Sequence, residues 1–189
     1  MEYIDVCDEN GQPTGRITDR DSAHRAGILH RTSHVWVIKE DNRQYQVLLQ
    51  KRSCEKESFP GMYDVSSAGH IPAGSEPLES VIREMSEEIG IAATSDQLAF
   101  AGMFRCSYEA VFHGKIFRDN EIRYAYVYQE PVDINDLTLQ TSEVDEVRWF
   151  PLTAVAEALQ SEHSQICVSQ EGLETLIHYL NQCNDITDP

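Results

Sequence analysis

The sequence has no apolar run approaching the ~18 residues that a membrane-spanning helix needs. Its first residues, MEYIDVCDENG, contain no basic stretch followed by an apolar one, so a secretory signal is not expected. The 5 cysteines are scattered and never form a C-x-x-C pair, which argues against a disulfide framework and a zinc ribbon. Together these absences predict a cytoplasmic protein with reduced thiols and no membrane contact.

Positive charge is also scarce in this chain. It has 15 lysines and arginines against 32 aspartates and glutamates, a formal net charge of -17 at pH 7. Such a chain would repel a nucleic-acid backbone, whose binding depends on lysine and arginine side chains. We expect no polymeric DNA or RNA partner. A small phosphorylated substrate is still compatible, because a bound metal ion supplies local positive charge.

The pattern of apolar and turn residues predicts one domain of mixed strands and helices. Two short extended segments flank the turn sequence at residues 8–11, so the chain is expected to open with a β-hairpin. Further strands are predicted at 34–38, 46–51, 65–68, 98–106, 121–128 and 144–150, and helices at 77–89, 152–159 and 170–181. This order favours an α/β or α+β fold with helices covering a mixed sheet.

The most informative segment, residues 69–91, reads GHIPAGSEPLESVIREMSEEIGI. Its apolar residues recur at helical spacing, so one stripe can be buried while the opposite face is charged. On that geometry Glu84, Glu87 and Glu88 share the exposed face, and Glu84 and Glu88 lie one helical turn apart. Pro77 suits the first turn and Gly90 the position after the last one. Spacing alone leaves two interpretations open, a solvated acidic face and a site for a divalent cation.

The whole string resembles the Nudix box, in which glycine, glutamate and an Arg-Glu/Glu-Glu core stand at fixed spacing. The matching residues are Gly69, Arg83, Glu84, Met85, Glu87, Glu88, Gly90 and Ile91. One position departs from the pattern, because Ser75 stands where the family has a glutamate and Glu76 follows it. In the family that glutamate orients the arginine, so here Glu76 substitutes for it or Arg83 is less firmly supported.

This resemblance implies a Nudix fold, an α/β/α sandwich with a mixed β-sheet behind the N-terminal hairpin. Residues 1–189 would form a single Nudix domain, with an N-terminal extension at 1–28 and the box at 69–91. Dimers are common among such proteins, so a homodimer is compatible with the resemblance.

The resemblance also implies a catalytic set of Arg83, Glu84, Glu87 and Glu88. Glu84 and Glu88 would be the main ligands of Mg²⁺ or Mn²⁺, and Glu87 would bind a further ion or accept a proton from water. Oxygen ligands suit such hard cations, which complete their shells with waters and substrate phosphate oxygens. The general base stays open among the carboxylates, since Glu143 or Glu146 could also reach the site from a loop.

Nearly the whole chain is similar to the isopentenyl-diphosphate isomerase branch of the same superfamily. The stretches of this chain that have counterparts in that branch are His24, His30 and residues 59–61, 69–70, 120–121 and 143–149. In those isomerases three histidines and two carboxylates bind a metal, and they correspond here to His24, His30, His70, Asp119 and Glu121. Taken singly, each histidine is more typical of a surface or hydrogen-bonded core residue.

The isomerase reaction itself is disfavoured by one residue. It relies on a cysteine two positions before the third histidine, where this chain has Ala68, and a methyl group can neither donate nor accept a proton. Arg52 and Lys56 occupy positions that contact the substrate diphosphate in that branch. The alternative interpretation of Arg52 and Lys56 is a pair of exposed cations in a charged loop.

The leading hypothesis is a metal-dependent Nudix hydrolase that cleaves the diphosphate bond of a nucleoside diphosphate derivative or a similar small metabolite. The first alternative is an isopentenyl-diphosphate isomerase-like enzyme. The second is a nucleotide-binding regulatory protein with little turnover.

Overall fold

The computed structural model describes residues 2–187, and the side chains of residues 2–183. Its strands are β1 (Tyr3–Cys7), β2 (Pro13–Asp19), β3 (His30–Asp41), β4 (Gln44–Arg52), β5 (Tyr63–Asp64), β6 (Ser67–His70), β7 (Leu98–Phe112), β8 (Lys115–Tyr128) and β9 (Val144–Pro151). Its helices are α1 (Arg20–Ala26), α2 (Pro77–Glu88), α3 (Leu152–Ala158) and α4 (Gln170–Thr187).

Strand β3 organises the sheet. It pairs antiparallel with β4 and β6 and parallel with β8, while β7 pairs with β8 and β9 with β4. In these ladders His30 lies opposite Glu121 of β8, and Thr32 lies opposite His70 of β6. The register therefore brings residues distant in sequence to one corner of the sheet.

Alternate residues of β3 face two different hydrophobic layers, as the pleat of a strand requires. Trp36 and Ile38 pack in a cluster with Leu176 of α4. On the other face, Val35 and Val37 belong to a cluster with α2. Helices therefore cover both faces of a mixed sheet, which confirms the predicted α/β/α sandwich.

The N-terminal hairpin is present as predicted. β1 and β2 pair antiparallel, and the Asp8 carboxylate accepts hydrogen bonds from the backbone N–H groups of Asn10 and Gln12, both at 2.9 Å. The single-domain division stays a prediction, and its residues 1 and 188–189 lie outside the described part of the chain.

Several elements differ from the predicted boundaries; strand β3, for example, begins at His30 rather than at residue 34. Helix α1 was not predicted, since its 7 residues are too few for a helical period to show. The β7–β8 hairpin extends beyond both predicted strands. The strand predicted at 65–68 is interrupted, because the Ser66 hydroxyl donates to the Leu48 carbonyl at 2.6 Å and accepts from the Val37 N–H at 2.7 Å.

In the described part of the chain, no helix combines the length and the apolar character needed to cross a membrane.

Candidate active site

Helix α2 carries the acidic residues, and its ends follow the sequence prediction. Pro77 is at its start, and Gly90, just beyond its end, has a φ of 75°. The prediction that three carboxylates share the exposed face is wrong for Glu88, which is only 5% exposed. Glu84 is half-buried and Glu87 is exposed. The difference arises because β6 packs over the end of the helix where Glu88 lies.

One oxygen of Glu88 takes all the hydrogen bonds that hold it. Its Oε2 accepts from Gln50 Nε2 at 3.1 Å, Ser67 Oγ at 2.7 Å and the Ala68 N–H at 3.2 Å. Burial raises the pKa of the Glu88 carboxyl, and these three donors oppose that rise. Oε1 accepts no hydrogen bond from the described residues, so it can bind a cation.

Glu84 fits against a glycine. A Cβ built on Gly69 would lie 2.3 Å from the Glu84 carboxyl carbon, so no larger residue fits there without displacing that carboxylate. Burial raises the pKa of Glu84 to about 7. The positive charge of Arg83 lowers this pKa, whereas the negative charges of Glu88 and Glu87 raise it further. Crowded carboxylates of this kind are stabilised by a hard cation, so the donor set fits Mg²⁺ or Mn²⁺.

Arg83 is held by the carboxylates of its own helix. Its Nη2 donates to Glu84 Oε1 at 2.7 Å and its Nη1 to Glu87 Oε2 at 3.3 Å. No contact between Arg83 and Glu76 occurs among the described residues. At the position where the box departs from its pattern, the backbone carbonyl of Ser75 accepts a hydrogen bond from Arg31 instead. The proposed substitution by Glu76 is therefore not seen.

The two cations predicted to bind phosphate lie close together in sequence: Arg52 ends β4, and Lys56 lies in the loop that follows it. Arg52 donates to the Ser58 carbonyl and hydroxyl at 3.0 and 3.1 Å, and its Nη1 lies 3.2 Å from Asp64 Oδ2. Lys56 forms an ion pair with Glu143. Both side chains are held by neighbouring groups, which fixes their positions before any ligand binds.

A cavity of about 380 Å³ joins these groups. Its lining includes Glu84, Glu87, Glu88, Arg52, Lys56 and Glu143. Glu146, the other loop carboxylate considered as a base, is not in that lining and accepts a hydrogen bond from Tyr63 Oη at 3.1 Å. The volume suits a small ligand.

Most of the predicted histidine–carboxylate set lines the same cavity, namely His24, His70, Asp119 and Glu121, whereas His30 is fully buried beside them. His24, His30, His70 and Glu121 each offer a ligand atom within 4.8 Å of the others. They come from α1, β3, β6 and β8, so only the tertiary fold brings them together. Asp119 lies beside this group of four, with its Oδ1 3.7 Å from His24 Nδ1.

Unused ring nitrogens in this set are available to bind a metal. His30 Nδ1 donates to the Ile28 carbonyl at 2.8 Å, which leaves Nε2 of the neutral ring to act as an acceptor. Three atoms of this set are buried without hydrogen-bond partners among the described residues: His30 Nε2, His24 Nδ1 and Asp119 Oδ1. Burial and the neighbouring His30 lower the pKa of His24 to about 4. Burial likewise holds the pKa of His70 well below its usual range, whereas for His30 burial is outweighed by the Glu121 carboxylate, 3.5 Å from Nε2, which raises the pKa. A bound cation would compete with a proton for His30 Nε2, because a metal binds the neutral imidazole.

Two arginines at the site were not predicted from the sequence. Arg123 donates to Glu121 Oε2 and Asp119 Oδ2, both at 2.7 Å. Burial alone would raise the pKa of the Glu121 carboxyl, but the charge of Arg123 holds that pKa well below its usual range. Strand alternation could have indicated Arg123, because it lies on the same face as Glu121. Arg20 also lines the cavity, and its Nε is buried with no partner among the described residues.

Fold and site together define an α/β/α protein whose cavity combines helix carboxylates with cations from a neighbouring turn. A NUDIX domain family model matches residues 29–168. Nudix hydrolase 3 of Arabidopsis thaliana is 38% identical over 163 residues, 85% of this chain and 21% of that protein. An uncharacterized Nudix hydrolase of Clostridium acetobutylicum is 38% identical over 176 residues, 90% of this chain and 82% of that protein. The chain belongs to the Nudix family, and it spans about a fifth of the length of its plant relative.

More distant similarity extends to the predicted isomerase branch. An isopentenyl-diphosphate Delta-isomerase of Escherichia coli O127:H6 is 29% identical over 163 residues, 85% of this chain and 82% of that protein. A solved structure from Deinococcus radiodurans has a TM-score of 0.66 at 17% identity, covering 94% of this chain and 99% of that one. The NUDIX domain of Shewanella oneidensis NrtR complexed with ADP ribose has a TM-score of 0.55 at 17% identity, covering 88% and 94%. The predicted family, its fold and the class of Nudix hydrolase are confirmed.

Proposed function

We propose that this protein is a divalent-metal-dependent hydrolase that cleaves the diphosphate bond of a nucleoside diphosphate derivative or a similar small metabolite. The observation that carries this proposal is one cavity with carboxylates on one side and two fixed cations on another. The carboxylates of Glu84, Glu87 and Glu88 suit a metal ion, while Arg52 and Lys56 suit the phosphates that it accompanies.

Each of these side chains has a distinct task in the proposed reaction. Arg52 and Lys56 bind phosphate oxygens, and Arg20 offers a further guanidinium at the same cavity. Glu88 is oriented by its three hydrogen-bond donors and presents its other oxygen, while Arg83 positions Glu84 and Glu87. Bound Mg²⁺ or Mn²⁺ supplies Lewis acidity and lowers the pKa of water.

Two carboxylates are suited to accept the proton from the attacking water. Glu87 is exposed and lies next to the buried Glu88. Glu143 lines the cavity and pairs with Lys56, so a diphosphate that engages Lys56 would free it. Kinetic comparison of Glu87→Gln and Glu143→Gln at saturating metal separates them, because loss of the base lowers kcat and removes its titration from the pH–rate profile.

The test of this function is a screen of diphosphate compounds. Purified protein with Mg²⁺ or Mn²⁺ is incubated with nucleoside diphosphates, nucleoside triphosphates, dinucleotides, ADP-ribose, CoA derivatives and isoprenoid diphosphates, and released phosphate and nucleotide are measured. We expect metal-dependent release from at least one nucleoside diphosphate derivative. Binding of nucleotides without any metal-dependent release would instead favour a regulatory protein.

The histidine–carboxylate cluster favours the isomerase as a second candidate. Its four close ligands and the similarity to an isomerase both support that function. The isomerase function is disfavoured because Ala68 supplies no acid at the position of the isomerase cysteine. The backbone N–H of Ala68 already donates to Glu88 and orients it. Conversion of isopentenyl to dimethylallyl diphosphate, followed by NMR, decides between the two functions.

Location and assembly follow from the same proposal. A cytoplasmic protein is supported by five cysteines that are all free, two of them buried. The homodimer stays a prediction, for which light scattering is the direct measurement.

A further inference from the structure

Four aromatic rings gather beside the cavity and belong to neither hydrophobic core cluster of the described residues. The ring centroids of Phe59 and Phe112 are 4.9 Å apart, and Phe59 lies 5.7 Å from Tyr108. Phe117 lies 5.7 Å from Phe112 and 6.3 Å from Tyr108. We call these four residues the aromatic cluster. Core packing of the sandwich does not account for them.

Three of the four rings face the cavity. Phe59, Tyr108 and Phe117 belong to its lining, whereas Phe112 packs behind them and does not. Phe117 also stacks on His24, with a centroid distance of 4.2 Å and an interplanar angle of 19°. Along β8 the cavity lining therefore changes from the carboxylate of Asp119 to the aromatic ring of Phe117.

Phe59 reaches this wall through an unusual backbone conformation. Its φ is 48°, in the left-handed region that a residue with a Cβ rarely adopts, and Pro60 follows it directly. The turn is held closed by hydrogen bonds from Gly61 N to the Arg52 carbonyl at 3.0 Å and from Met62 N to the Phe59 carbonyl at 3.3 Å. One turn thus presents a ring and the Arg52 guanidinium to the same cavity. Backbone strain of this kind concentrates at functional sites.

We propose that Phe59, Tyr108 and Phe117 form the subsite that binds the planar base of the substrate, adjacent to the diphosphate held at Arg52 and Lys56. This inference rests on the proposed function and narrows its substrate class to nucleoside diphosphate derivatives. Flat aromatic faces stack with any base. The remainder of the lining is rich in polar groups, including Ser169 and Gln140, which suit the heteroatoms and hydroxyls of a nucleoside better than a hydrocarbon chain.

The test replaces one cavity-facing ring and one that lies behind it. Phe59→Leu removes an aromatic face while keeping an apolar side chain at the same backbone position. Phe112→Leu is the matched control, because it loosens the same cluster without removing a ring from the cavity lining. KM and kcat are measured for both variants with ADP-ribose. Binding of AMP and of isopentenyl diphosphate, which has no planar ring system, is measured by calorimetry in EDTA.

We expect Phe59→Leu to raise KM for ADP-ribose about tenfold with kcat within about twofold, since stacking on the base acts equally in ground and transition states. AMP binding should weaken by a similar factor, and Phe112→Leu should match the wild type. Unchanged constants in Phe59→Leu, or an equal loss in Phe112→Leu, would overturn the subsite. An equal weakening of isopentenyl diphosphate binding in Phe59→Leu would overturn it in favour of a general apolar wall.

The two levels of the proposal fail separately. If the wild type hydrolyses no diphosphate in the screen, the proposed reaction fails, yet AMP binding still reports on the aromatic subsite. If the wild type is active and AMP binds equally to both variants and the wild type, the reaction stands and the subsite is wrong.

Discussion

At the scale of single residues, the position of Glu88 explains both what the sequence predicts and what it does not. Helical spacing places Glu88 on the polar stripe of α2 with Glu84. Its burial depends on Ser67 and Ala68 of β6, which meet the helix only through the tertiary fold. Sequence spacing therefore places Glu84 and Glu88 one helical turn apart, but it predicts neither the burial of Glu88 nor the donors that orient its carboxylate.

Glu88→Gln should lower kcat at least ~100-fold without unfolding the protein, because it removes an anionic ligand from a catalytic metal site. A glutamine oxygen can still accept from Gln50, Ser67 and Ala68, so the local packing is preserved. Activity is measured on the substrate found in the screen, and folding by thermal denaturation. Glu79→Gln, at another glutamate of α2, is the control. Near-wild-type turnover in Glu88→Gln would contradict the metal role.

Gly69→Ala tests the close contact with Glu84. The added methyl would lie 2.3 Å from the carboxyl carbon, so the Glu84 side chain must move away from its present position. We expect activity to fall by about two orders of magnitude, with much weaker dependence on Mg²⁺. Thermal denaturation of the variant shows whether the added methyl disturbs the fold as well as the site. Retained Mg²⁺ affinity in Gly69→Ala would mean that Glu84 is not a ligand.

At the scale of elements, the parallel pairing of β3 with β8 creates the histidine cluster. Because His30 and Glu121 are partners in that ladder, a shift of register would separate them. Four of the five predicted residues meet within 4.8 Å, while Asp119 lies outside that limit. The resemblance to a family identified these residues. Spacing could not have done so, since they come from four separate elements, one of them the unpredicted helix α1.

The cluster is expected to bind a transition metal such as Mn²⁺ or Zn²⁺ independently of catalysis. His30→Gln should weaken this binding at least ~10-fold, because it removes one of few ligands. Competition with a chromogenic chelator measures the affinity, and elemental analysis measures the stoichiometry. His163→Gln, at an exposed histidine, should leave both unchanged. Equal affinity in His30→Gln would show that the buried imidazoles serve only the fold.

At the scale of the whole molecule, the fold buries polar groups at the centre of its sheet, and stability should depend on pH as a result. His34 lies on β3 with only 8% of its surface exposed, and it faces the cavity. The Thr32 hydroxyl donates to Glu121 Oε2 at 3.1 Å, so it accepts from His34 Nε2 at 3.2 Å, which fixes the neutral tautomer. Burial, and then Arg123 nearby, lower the pKa of His34 to about 4.

Because the pKa of His34 is lower in the folded protein than its usual value of 6.5, the unfolded chain binds more protons between about pH 6.5 and pH 4. Stability is therefore present above that window and is lost as the pH falls through it. From pH 7 to pH 5 this one histidine should remove about 2 kcal/mol from the free energy of unfolding. His34→Gln, which can still donate to Thr32, should reduce the pH dependence by that amount in urea titrations with EDTA. Parallel pH profiles for His34→Gln and the wild type would mean that His34 does not stay neutral in the folded protein.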